Sequence, residues 1–269
     1  MGIPAYYGYL IKNYKKIIVK IEKINKNIDN FYLDSNSIIY NCLENMEGNY
    51  DKNFVNNLIK NIYFKIDEYI QNVQPKKLIH ISFDGVAPFA KLKQQKERRF
   101  KSKIISEILN EIIDEKYPNV PRNDKENKFD RTSITPGTYF MQQLDEKVTE
   151  YFENRESFYN VKKIIVSKTS ERGEGEHKIF DYIRNNKNNQ ETHVLYGLDA
   201  DLIILCLNHM NISKNIYLFR ETPEFIKNIS MEIEPNELYL MNIESLMQCI
   251  VPKMANKGNS LKLIKDYVF

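Results

Sequence analysis

The chain has 269 residues, 42% of them apolar, enough to bury a normal core in one compact α/β domain with insertions. Its net charge of +3 is too small to indicate nucleic-acid binding by itself, and its three cysteines, Cys42, Cys206 and Cys249, lack the spacing of a disulfide framework or a zinc site. No apolar run approaches the roughly 20 residues that cross a bilayer and the amino terminus has no signal-peptide pattern, so a soluble intracellular protein is expected, cytoplasmic in preference to nuclear.

In chain order, FYLD (31 to 34) is a short apolar run closed by an acid, and helical periodicity follows over 36 to 46 and 53 to 72. KLIHISFD (77 to 84) reads as a second strand, leading to helices over 89 to 114 and 137 to 155. KKIIVS (162 to 167), a helix over 176 to 187, THVLYGLD (192 to 199) and NIYLF (215 to 219) complete the pattern. This alternation predicts a wound, mainly parallel sheet with helices on both faces. KYPNVPRNDKENKFDR (116 to 131) is polar, has two prolines and lacks periodicity, so it is expected to be a loop inserted beside the fold.

Acidic residues gather where the strands end. Asp34 closes FYLD, Asp84 closes HISFD, Asp199 and Asp201 follow HVLYG, and KKIIVS runs into a segment holding Glu174 and Glu176 at the next helix start. Any one of these could simply cap a helix. At the carboxyl edge of a parallel sheet, however, all six could meet in one cleft. Two carboxylates ~4 Å apart repel by about 4 kcal/mol at an effective dielectric near 20, so such a set calls for cations. Hard oxygen donors without a nearby Cys suit Mg²⁺ or Mn²⁺, and a pair of such ions suits phosphodiester hydrolysis. Gly173 and Gly175 in GEGEHK permit the tight backbone that would turn Glu174 and Glu176 to one edge. His177 is not assigned to the metals, and Lys178 is expected to point elsewhere.

The charge is uneven. Seven bases and one acid, Glu97, lie between positions 91 and 103. Within that run Lys91, Gln95, Arg98 and Arg99 fall at i, i+4, i+7 and i+8, one face of a helix. That face could be a pocket for a terminal phosphate or only a surface that steers a polyanion.

The segments MGIPAYYGYLIKNY, FYLDSNSIIYNC, FDGVAPFAKLKQQKERRF, FDRTSITPGTYFMQQL, SERGEGEHKI and YGLDADLIIL, in this order, resemble the first conserved region of XRN-type 5′→3′ exoribonucleases. The resemblance spans essentially the whole chain and implies a PIN-like or flap-nuclease-like α/β fold. It implies two divalent metals on Asp34, Asp84, Glu174, Glu176, Asp199 and Asp201. It also implies processive attack on single-stranded RNA whose 5′ monophosphate sits on Lys91, Gln95, Arg98 and Arg99. Tyr40 stands where the family has a His that stacks on the first base; core packing is the alternative role for that ring. The chain ends at KDYVF, before the family's Gly-Asn-Asp-Phe segment with a further metal-site aspartate. Carboxyl-terminal incompleteness, completion by a partner chain, or reduced activity are therefore the expectations. Two other functions share this sequence: a flap-type DNA nuclease and an inactive RNA-binding scaffold. The ordered DGVAPFAKLKQQKERRF and ITPGT segments favour the RNA enzyme.

Overall fold

A computed structural model describes residues 6–24, 28–46, 53–116, 129–220 and 238–253. The elements that frame the centre are β2 (Asn30–Asp34), α2 (Asn36–Glu44), α3 (Phe54–Val73), β3 (Leu78–Ser82) and α4 (Phe89–Lys116). There follow α5 (Tyr139–Phe152), α6 (Glu156–Tyr159), β4 (Lys163–Ser167), α7 (Gly175–Asn185), β5 (His193–Tyr196), α8 (Ala200–Asn208) and β6 (Ile216–Phe219). At the ends of the chain are α1 (Tyr6–Asn13), β1 (Ile18–Lys20), β7 (Tyr239–Asn242) and α9 (Ile243–Ile250).

Seven strands form one sheet in the order β1-β7-β6-β5-β2-β3-β4. The run from β6 to β4 is parallel, while β7 is antiparallel to both β1 and β6. Every residue of β2 and β3 is buried, as expected for strands covered on both faces. Their side chains alternate between two layers. Phe31, Leu33, Ile79 and Ile81 pack with α2, α3 and α5, whereas Tyr32 and Leu78 pack with α1, α7, α8 and α9.

The chain winds from β2 outward through β3 to β4, then returns to β5 on the other side of β2. Strand order therefore reverses at β2, and the crevice at its carboxyl end is where an open sheet of this kind binds ligands.

The five expected strands and the helices between them are present. The antiparallel edge of β1 and β7 was not anticipated: strands of three and four residues are too short to show a period. Helix α8 was also missed, because ADLIILCLN is apolar on nearly every side and has no 3.6-residue stripe. Most of the expected 116 to 131 loop, and the closing KDYVF, lie outside the described residues.

Candidate active site

The parallel register sets Asp34 beside Ser82 and Ser82 beside Ser167, so the polypeptide leaves β2, β3 and β4 at one level. Asp34 ends β2, Asp84 lies two residues past β3, and Glu174 and Glu176 flank the first residue of α7. Asp199 stands at the amino-terminal cap of α8, just after β5.

Hydrogen bonds of side chains and backbone fasten these turns. Gly175 N donates to Asp84 Oδ1 at 2.7 Å, Asn36 Nδ2 donates to Asp84 Oδ2 at 2.7 Å, and Asp84 N donates to Asn36 Oδ1 at 3.1 Å. Gly85 N donates to Gly173 O at 2.9 Å and Gly173 N to Val86 O at 3.1 Å. Beneath them the buried Lys178 ammonium donates to Phe83 O at 2.8 Å and to Lys168 O at 2.7 Å, so this side chain runs into the strand ends and not away from them. Thr169 N and Oγ1 both donate to buried Asp145, which braces the loop after β4.

Glycine is required at two of these positions by close approach. A Cβ on Gly175 would lie 2.4 Å from Asp34 Oδ1, and one on Gly85 would lie 1.6 Å from the backbone oxygen of Glu171. Since backbone cannot yield as a side-chain tip can, Gly85→Ala is expected to cost about 3 kcal/mol, the upper part of the usual overpacking range. Urea denaturation of the two proteins measures it; a midpoint unchanged by the substitution would show that the loop rearranges freely.

The electrostatics are those of a charge cluster awaiting compensation. Asp34 is buried and its Oδ1 has no hydrogen-bond partner among the described residues. Burial first, then the fields of Asp84, Glu176, Asp199 and Glu174, hold its carboxyl well above the usual range. Burial likewise raises Asp84, with Glu174 adding to it, against the Gly175 N–H and Lys91. Glu176 is pushed up to about 7 by burial and Glu174, opposed by Lys91, with Asp84 and Asp199 contributing less. Lys91 Nζ lies 2.7 Å from Glu174 and is the nearest compensating charge. Glu174, Glu176 and His177 each present one ligand atom within 4.8 Å of the others, which brings His177 to a cluster from which the sequence reading left it out.

Residues 1–222 match the family described as XRN 5′-3′ exonuclease N-terminus. The chain belongs to that family. It is 32% identical to 5′-3′ exoribonuclease 1 of Saccharomyces cerevisiae over all of this chain and 18% of that protein. It is 35% identical to 5′-3′ exoribonuclease 2 of Gallus gallus over 77% of this chain and 25% of that one. With 5′-3′ exoribonuclease 2 of Arabidopsis thaliana the identity is 30%, over 100% and 33% of the two chains. The chain thus spans 18 to 33% of the length of these curated relatives. Among solved structures, the catalytic core of Rad2 in complex with DNA substrate aligns with a TM-score of 0.47 at 13% identity, over 92% of this chain and 57% of that one.

Within this XRN N-terminal region, the remaining expected residues are placed unevenly. Asp199 is exposed, yet its field reaches Asp34 and Glu176. Asp201 is half-buried in the first turn of α8. Tyr40 is 39% exposed on α2 and belongs to neither core layer, so the packing role does not hold. Lys91 and Gln95 are half-buried on α4; Arg98 and Arg99 share that helix, and their side chains lie outside the description.

Two residues near the cleft escaped sequence reading. Asn36 holds Asp84, as described above; its only signal is its place two residues after the strand-closing Asp34. Arg220 follows β6 at the same sheet edge, with its guanidinium 4.4 Å from the Tyr7 ring centroid and its Nε and Nη1 buried without partners among the described residues. An apolar strand followed directly by a basic residue was its only trace.

Proposed function

We propose that this chain is the catalytic region of a 5′→3′ exoribonuclease that hydrolyses 5′-monophosphorylated single-stranded RNA with two divalent cations, Mg²⁺ or Mn²⁺. The observation that carries the reading is the buried, unpartnered Oδ1 of Asp34 at the strand-order switch, with Asp84, Glu174, Glu176 and Asp199 all raising its carboxyl. A set of oxygen donors that opposes its own ionisation fits cation binding. In this reading Asp34, Asp84, Glu174, Glu176 and Asp199 hold the ions, and Asp201 joins from the open side. Bound ions would supply an activated water and stabilise the charge that develops on phosphorus oxygens in an in-line displacement.

The protein's own residues supply position. Asn36 and the Gly175 N–H keep the Asp84 carboxylate oriented. Lys91 neutralises Glu174 while no cation is bound, and its partly exposed stem lets the ammonium turn to a terminal phosphate. Gln95, Arg98 and Arg99 add an amide and two guanidinium forks on the same helical face, and Tyr40 offers its exposed ring to the first base.

The test compares matched RNAs bearing 5′ monophosphate, hydroxyl or triphosphate, together with a monophosphorylated DNA of the same sequence. Nucleotides are expected to leave from the 5′ end only with divalent cation. Monophosphate RNA should decay at least about tenfold faster than the hydroxyl form, the effect of one lost charge-assisted hydrogen bond in the transition state. Lys91→Ala should remove much of that preference. Equal rates on DNA would favour a flap-type nuclease, and no cleavage at all would favour a scaffold; either outcome, or indifference to the 5′ group, defeats this reading.

A further inference from the structure

The phosphate reading uses one face of the first half of α4, and a second row of side chains runs along another. Phe89, Lys93, Lys96 and Phe100 follow one another at i, i+4, i+7 and i+11. At 3.6 residues per turn they lie within about 60° of one another, and roughly 150° around the helix from the centre of the Lys91, Gln95, Arg98 and Arg99 face. Burial agrees with this phase. Lys91 and Gln95 are half-buried, whereas Lys96 is exposed, the Lys93 side chain is 85% exposed, and Phe89 and Phe100 are 90% and 66% exposed. Neither phenylalanine belongs to a core layer, so packing accounts for neither ring.

We propose that this row is a second binding track for single-stranded RNA, with bases stacked on Phe89 and Phe100 and phosphates held by Lys93 and Lys96 between them. The side chains select this occupant. Rings interleaved with cations meet both parts of a single strand, since every base has a π-face and every link a negative charge. The acid beside the row, Glu97, meets Lys93 only loosely, at 3.9 Å between exposed ends, and such a pair leaves the ammonium available to a phosphate. The row also begins at the cleft. Phe89 opens α4 directly after the turn that carries Asp84, so a strand that leaves the acidic centre over the first turn of the helix comes onto it. Beyond Phe100 the same line reaches Glu107, Glu111 and Asp114, which repel a polyanion. The track is thereby bounded at about 16 Å, the rise from Phe89 to Phe100, room for a short run of nucleotides. An anionic bilayer lying along the helix would meet those acids as well as the lysines, which disfavours a lipid surface.

The track rests on the exoribonuclease reading only for the strand's route from the cleft, and its test needs no cleavage. Fluorescence anisotropy of a labelled 5′-hydroxyl RNA of about 20 nucleotides, with a chelator present, reads binding without turnover and without the terminal phosphate. Phe89→Ala combined with Phe100→Ala should weaken it at least about tenfold, the effect of one lost stack of base on ring, while circular dichroism stays unchanged. Binding of an abasic strand of the same length should not respond to that pair. Lys93→Ala combined with Lys96→Ala should reduce the slope of log affinity against log salt by about 1.4, at about 0.7 for each single-strand phosphate contact. In cleavage assays the phenylalanine variant should raise KM for a monophosphorylated RNA of about 20 nucleotides and leave kcat/KM unchanged for one of about 4, which is too short to occupy cleft and track together. Unchanged RNA affinity in the phenylalanine variant, an equal loss on the abasic strand, or a loss of binding to phosphatidylserine vesicles in place of RNA would each overturn the proposal. Normal cleavage with unchanged RNA binding would defeat the track and leave the nuclease reading intact; a protein that cleaves nothing but loses RNA affinity with the two rings would do the reverse.

Discussion

Replacing Asp34 by Asn is expected to abolish nucleolysis and, in the same protein, to raise the stability of the metal-free fold at neutral pH. Both effects come from one atom's surroundings. Asp34 is buried, its Oδ1 has no partner among the described residues, and four neighbouring acids oppose its ionisation. Without cations the folded protein must either bury that charge or take up a proton against the bulk, and an amide of the same shape does neither. A gain in unfolding free energy is expected, read by urea denaturation in the presence of a chelator. The same amide is a poor ligand for a hard cation. Turnover should fall at least about a thousandfold, because cations at such a site supply several kcal/mol of transition-state stabilisation.

Asp84→Asn should differ in stability though not in activity. Both Asp84 oxygens accept from donors, Gly175 N and Asn36 Nδ2, so an amide NH₂ must face one of them. That variant should lose roughly 1 to 3 kcal/mol. If Asp34→Asn is less stable than the parent, the side chain carries structural weight in place of stored repulsion. If it cleaves at a tenth of the parental rate or better, Asp34 leaves the proposed cation site.

This opposition between stability and activity marks where sequence reading succeeds. Strands buried on both faces have to be apolar runs, and an acid that closes such a run is conspicuous; that is why Asp34, Asp84 and Asp199 stood out. GEGEHK stood out because two glycines beside a helix start serve close approach, and the Asp34 carboxylate is what lies 2.4 Å from the place a Gly175 Cβ would take. What did not stand out depends on atoms that no side-chain pattern encodes. Lys178 reads as an exposed helix lysine, but the oxygens it binds belong to the backbone of Phe83 and Lys168. Asn36 reads as a helix-start residue, and only the side-by-side placement of β2 and β3 brings Asp84 to it. Arg220 needed the strand order, since β6 reaches this edge only because it pairs with β5.

Between about pH 4.5 and pH 7 the contribution of Glu176 to the stability of the metal-free protein is expected to be lost as the pH rises. Its carboxyl moves from an ordinary 4.5 to about 7 in the fold, so the native state holds this proton more tightly than the unfolded chain does. That preference is fully present below the unfolded value and gone above the folded one, a loss of roughly 3 kcal/mol. Asp34 and Asp84 shift in the same direction and act with it. The buried imidazoles oppose it. Burial lowers His80 to about 4 and lowers His193 as well, so they lose stability as the pH falls below 6.5. The total curve therefore mixes two slopes, and the difference between wild type and Glu176→Gln isolates the carboxyl. That difference in unfolding free energy, measured with a chelator, should favour wild type most at the acid end of the window and shrink towards pH 7. Added Mg²⁺ should act in the reverse sense, because ligands must be deprotonated to bind it. Its stabilising effect should grow with pH, and its apparent affinity should fall about tenfold per pH unit below 7 for each proton it displaces. A wild-type minus Glu176→Gln difference that is flat with pH, or a Mg²⁺ affinity equal at pH 5 and pH 7, would place Glu176 outside the group of carboxyls that trade protons for a cation.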